Sequence, residues 1–131
     1  MSKSQKSAAP LPIFLAALFF SSSLVAQSKT VEDGVFTQAQ VVSGQTVYET
    51  RCASCHSMKE YRDLLKSWHG TPLIDFWYNI LGNMPADNAG SLMESEYTDV
   101  IAYILSENGF PSGDVILDPN NGMDQINIVS P

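Results

Sequence analysis

The sequence predicts an all-α domain, and three observations carry that prediction. Tyr97, Ile101, Ile104 and Leu105 stand at i, i+4, i+7 and i+8, the spacing of one buried helical face. Tyr61, Leu64, Leu65 and Trp68 repeat that spacing in a shorter segment. From Pro111 onward the chain is rich in Pro, Gly and Asn, and only Ile126-Asn-Ile-Val129 there looks strand-like. With 131 residues, 44% hydrophobic and 16% charged, the chain makes one globular domain and is neither disordered nor collagen-like.

The first segment is set apart from the fold. Lys3 and Lys6 give a basic start, Leu11-Pro-Ile-Phe-Leu-Ala-Ala-Leu-Phe-Phe20 a short apolar core, and Ser21-Ser-Ser-Leu-Val-Ala26 a small-residue end. That order is the one a secretory signal peptide has, with cleavage expected after Ala26. A membrane-spanning helix needs about 20 apolar residues, and the serines end this run well short of that. Gln27 in place of Cys excludes a lipoprotein anchor at this site. The expected destination is the periplasm, an oxidising compartment, with no stable membrane anchor after cleavage.

Residues 27–42 read as a loosely ordered lead-in. Ser43 is the expected N-cap of a first helix through Tyr48 to about Cys55. A second helix fits Glu60 to Trp68, and His69-Gly-Thr-Pro72 breaks it. A third segment carries Ile74, Trp77 and Leu81. Gly82-Asn-Met-Pro-Ala-Asp-Asn-Ala-Gly90 is a loop, rich in turn-forming residues. The last helix stops at Asn108-Gly109, with Pro111 behind it. The expected division is a signal peptide over 1–26, a lead-in over 27–42, a domain over 43–113 and an irregular tail over 114–131.

Charge narrows the partners. Seven Lys and Arg stand against fourteen Asp and Glu, a net charge of −7, the wrong sign for a nucleic-acid binder. Beyond the leader only Lys29, Arg51, Lys59, Arg62 and Lys66 remain, so everything from Ser67 onward is acidic or neutral. Such a surface speeds the association of a basic partner, in a salt-dependent way.

The chemistry lies in Cys52-Ala-Ser-Cys55-His56, the Cys-x-x-Cys-His signal for c-type haem attachment. Two thiols three positions apart each add to one haem vinyl group, and the next residue sets an imidazole under the iron as proximal ligand. Two other readings compete. A thioredoxin-like Cys-x-x-Cys belongs in a βαβ unit, whereas this one ends a predicted helix with no strand before it. A structural zinc site needs four ligands, and only His69 remains to complete one.

Met84 is the candidate for the sixth iron position. Pro85 forces Met84 out of the helical region into an extended conformation, where the loop can hang its thioether across the face opposite His56. Met58 is tied to the proximal side, Met93 opens the last helix and Met123 lies in the tail. His69 is the alternative. A Met/His pair raises the potential relative to two histidines. Tyr61, Leu64, Leu65, Trp68, Trp77, Ile80 and Leu81 are the residues expected to keep water from the haem.

Together these residues resemble class I c-type cytochromes, over about Ser43 to Gly113. Gly44-x-x-x-Tyr48 and Ala102-Tyr103 extend the likeness. The resemblance implies three to five short helices around one covalent haem c, with the first and last helices crossing closely at Gly44 and Tyr48 and Tyr103 nearby. It also implies a Trp68 indole N–H donated to a haem propionate. The sequence is similar above all to the cytochrome subunits and domains that serve quinoprotein (PQQ-dependent) dehydrogenases. The shared runs are Trp68-x-Gly70-Thr71-x-Leu73-x-Asp75, Glu96-Tyr97-x-Asp99-Val100-x-Ala102-Tyr103-Ile104-Leu105 and Asn108-Gly109-Phe110-Pro111. It departs from them at Met93, where they have Ser or Thr, leaving Ser91 or Ser95 to cap the last helix.

The resemblance implies an electron carrier, not an enzyme, since both axial positions are filled. The expected partners are redox proteins: a PQQ-dependent dehydrogenase, and a terminal oxidase or another cytochrome. A free periplasmic carrier and a dedicated dehydrogenase subunit both fit. A haem enzyme or sensor would need Met84 to be labile. Ile116, Leu117, Ile126, Ile128 and Val129 are more apolar than a free terminus needs, and offer a surface for a dehydrogenase subunit.

Overall fold

A computed structural model describes Met1 and residues 28–131. The leader predicted over 1–26 lies outside the described residues, Met1 apart. The chain is all-α. Four helices, α1 (Gln38–Arg51), α2 (Met58–Ser67), α3 (Leu73–Asn83) and α4 (Glu94–Glu107), are joined by short loops. Two-residue strands β1 (Lys29–Thr30) and β2 (Ile126–Asn127) pair in parallel, and a 3-10 turn over Met123–Gln125 precedes β2. No described helix is long and apolar enough to cross a membrane.

α1 begins five residues before the expected Ser43. Thr37 is the N-cap: its hydroxyl accepts from Gln40 N at 3.3 Å, and Gln40 Oε1 accepts from Thr37 N at 3.2 Å. That reciprocal pair is a capping box, legible as Thr-x-x-Gln in the sequence. It takes residues 38–42 out of the expected lead-in and into the helix. Ser57 and Glu60 form the same device at the start of α2. α4 starts without help from either serine. Met93 is its N-cap, and Glu96 Oε2 accepts from Met93 N at 2.8 Å. It ends as expected at Asn108, followed by Gly109 at φ 95°.

The first and last helices cross. At Gly44 the crossing is too close for a side chain, because a Cβ there would run into the carbonyl of Asp99 and stand 3.0 Å from Tyr103 Cβ. Tyr48 and Tyr103 pack beside it with ring centroids 5.4 Å apart. Phe36, Leu65, Leu73, Phe76, Ile101 and Leu105 are buried at the centre.

The tail is a correction to the expectation of an outward docking surface. Leu117, Ile126 and Ile128 are buried in this chain, and so is Met123. Ile128 N donates to Thr71 O at 2.9 Å, and Gly70 N to Ile128 O at 2.8 Å. Gln40 holds Leu117 through both amide atoms, each contact 2.9 Å. The physical reason is the helical core's size: four short helices leave apolar flanks that the tail covers. Of the apolar residues expected to dock elsewhere, Ile116 alone is exposed, at 64%, with Val129 half-buried.

Candidate functional site

The Cys-x-x-Cys-His run is a tight turn built on the end of α1. Cys52 N and Ala53 N both donate to Tyr48 O at 2.9 Å, then Cys55 N and His56 N donate back to Cys52 O at 3.1 and 3.0 Å. Both cysteines are free thiols, Cys52 half-buried and Cys55 exposed. Burial pushes the Cys52 thiol above its ordinary range, against the pull of Arg51. The Tyr48 hydroxyl donates to His56 O at 2.7 Å, fixing the backbone of the histidine to α1. Tyr61 of α2 packs against the His56 ring, centroids 5.5 Å apart. Burial, reinforced by Cys52, drives the Tyr61 hydroxyl strongly upward, so it stays protonated.

Met84 follows α3 in extended backbone, φ −126° and ψ 153°, as expected before proline. Its N–H ends α3 on Ile80 O at 2.8 Å, and its carbonyl accepts from the Tyr97 hydroxyl at 2.7 Å. α4 therefore positions this loop as much as α3 does.

One cavity of about 360 Å³ joins the two parts. Cys52, Cys55 and His56 line it from one loop, and Met84 and Pro85 from the other. Tyr61, Ile80, Leu92, Tyr97, Val100 and Ile104 supply most of its apolar wall, and Thr50, Arg51, Ser54 and Asp87 its other polar groups. The volume falls in the range of about 300–1,000 Å³ usual for cofactor sites. Two thiols and an imidazole on one largely apolar cavity are the groups that covalent haem attachment uses, and Met84 lines the same cavity. Away from that lining, Trp77 Nε1 is buried with no hydrogen-bond partner among the described residues. Such an orphan costs about 1–3 kcal/mol.

Of the residues expected to shield the site, Tyr61 and Ile80 line the cavity and the other five do not. Tyr61 and Leu65 turn inward one helical turn apart, which leaves Leu64 on the outer side, 37% exposed. Trp68 stands outside the lining and packs edge-on against Phe76, centroids 5.4 Å apart. His69 is also outside it, its Nδ1 accepting from Ser130 N at 3.1 Å. The wall that sequence reasoning missed is α4. Tyr97, Val100 and Ile104 recur at i, i+3 and i+7, a face distinct from the one that Ile101 and Leu105 present to the core, and that periodicity was the available signal.

An all-α fold around a cavity of this make-up is that of a class I c-type cytochrome, a carrier of electrons on haem c. The chain belongs to the family described as "Cytochrome C oxidase, cbb3-type, subunit III", whose model matches residues 39–104, half of its length. The match opens in the first turn of α1 and closes within α4, so it takes in the Cys-His turn and the Met84 loop. No curated protein and no solved structure matches the chain.

Proposed function

We propose that the protein is an exported, periplasmic monohaem cytochrome that passes single electrons between redox proteins. Cys52 and Cys55 hold the haem by thioether bonds, and His56 and Met84 are its axial ligands. The observation that carries this reading is the meeting of Cys52, Cys55 and His56 with Met84, from loops 28 residues apart, on one apolar cavity. Export is supported by the basic, apolar, small order of residues 1–26.

When bound, the haem supplies a one-electron Fe(III)/Fe(II) couple. The chain's residues set its surroundings. The Tyr48 bond to His56 O and the packing of Tyr61 hold the proximal imidazole. Ile80, Leu92, Val100 and Ile104 exclude water, which disfavours the added charge of the oxidised form. Tyr97 holds the Met84 loop over the cavity. The reading includes an indole N–H given to a haem propionate. Trp68 is the residue that the resemblance implies.

For partners we propose a quinoprotein dehydrogenase as donor, supported by the runs around Trp68, Tyr97 and Phe110. The acceptor is a terminal oxidase or another cytochrome, and the family's description speaks for an oxidase. Acid–acetone extraction of the mature protein tests the central claim. Haem retained on the chain supports it, and haem in the organic phase overturns it.

A further inference from the structure

On the far side of α4 from the cavity lies a second depression, a groove of about 410 Å³. The N-terminal turns of α1 and α4 form two walls and residues 116–119 the third. α4 turns Tyr97, Val100 and Ile104 to the cavity but Glu94, Thr98 and Asp99 to the groove, so the two sites occupy roughly opposite faces of one helix.

The groove combines an exposed apolar tip with a cluster of carboxylates. Ile116 on its lip is 64% exposed and its neighbour Val115 50%. They are not a loose end: Gly113 N bonds to Phe36 O at 2.7 Å and Leu117 N to Gln40 Oε1 at 2.9 Å, fixing the tip on both sides. An ordered apolar tip loses little freedom on binding. Glu94, Asp99 and Asp118 surround it, and Asp99 is half-buried. Among the described residues no cation pairs with them, and their partners are neutral: Glu94 accepts from Asn120 Nδ2 at 2.9 Å and Asp118 from Asn120 N at 2.8 Å. The ion pairs of the described residues join Lys59 and Lys66 to Asp63 on α2, and the sequence has no Lys or Arg after Lys66.

We propose that this groove docks a short segment of a partner protein that presents an aliphatic side chain flanked by Lys or Arg. The aliphatic group lies against Ile116 and Pro119, and the cations answer Glu94, Asp99 and Asp118. A second copy of this chain is disfavoured, because it would bring net negative charge against net negative charge. The docking does not depend on how the cavity is read. Its position behind α4 lets a partner stay attached while the cavity mouth remains free to meet another protein.

The test is an NMR titration of the isotopically labelled holoprotein with a peptide carrying a Lys-Leu-Lys core between Gly/Ser flanks. Saturable shifts confined to residues 94–99 and 114–119 are expected. Ile116→Ser, whose exposed position spares the fold, should weaken binding about tenfold with an unchanged melting curve. The double variant Asp99→Asn, Asp118→Asn and a rise to about 0.3 M salt should each weaken it several-fold. Shifts centred on Ala86 and Asp87 at the cavity, equal binding of a Glu-Leu-Glu peptide, or unchanged affinity in Ile116→Ser would each overturn the proposal. So would binding to phosphatidylglycerol vesicles with no response to the peptide.

Discussion

The hydroxyl of Tyr97 donates to the carbonyl of Met84 at 2.7 Å, across thirteen residues and from a side chain only 1% exposed. The loop after α3 is thereby tied to the helix that closes the fold. Tyr97→Phe keeps the ring and removes the bond, so no cavity is created. A loss of about 1–2 kcal/mol is expected in denaturant titrations. The sulfur–iron charge-transfer band of the holoprotein should weaken while haem attachment is retained.

Met84→Ala should abolish that band, lower the potential and open the iron to cyanide or carbon monoxide. His69→Ala should leave all three as they were, because His69 stands outside the cavity and is engaged by Ser130. If the spectrum responds to His69→Ala and not to Met84→Ala, the axial pair is two histidines.

At Gly44 the added methyl of Gly44→Ala meets the backbone of Asp99, which cannot move aside as a flexible side chain would. The two helices must separate, and overpacking of this kind costs about 1–3 kcal/mol. Chemical denaturation measures it. Ala at Gly70, where a Cβ would meet nothing within 4 Å, pays only for its positive φ and serves as the comparison.

Acid should weaken the start of α2. The backbone N–H and hydroxyl of Ser57 hold the Glu60 carboxyl below the ordinary glutamate range, with His56 and Lys59 adding to the effect. Lys66, by its hydrogen bond and charge, does the same for Asp63. A carboxylate depressed in the folded state contributes stability above its unfolded value, and that contribution is lost as pH falls through the folded one. Melting temperature should therefore drop below about pH 4.5, and less steeply in Glu60→Gln.

Asp99 has the opposite sign. Burial, with Glu96 nearby, raises its carboxyl, so its ionisation at neutral pH opposes folding and the penalty fades as pH falls. Asp99→Asn should raise the melting temperature at pH 7 and leave it nearly unchanged in acid.

Sequence by itself determined the local features. The helical class, the stop at Asn108-Gly109, the extended Met84 before Pro85 and the Cys52-x-x-Cys55-His56 turn each depend on a few neighbouring residues, and neighbours are what a sequence displays. The capping box at Thr37 is also local, so the early start of α1 is legible as Thr-x-x-Gln. Tertiary structure alone decided the rest. Whether Tyr97 faces a loop or the core, whether Leu64 or Leu65 turns inward, and whether the tail's isoleucines stay exposed depend on which surfaces meet. Periodicity names the apolar residues but not their partners. The tail shows this most plainly: the same apolar side chains suit an outside partner or the flank of α3, and burial within one chain wins because no second molecule has to be immobilised.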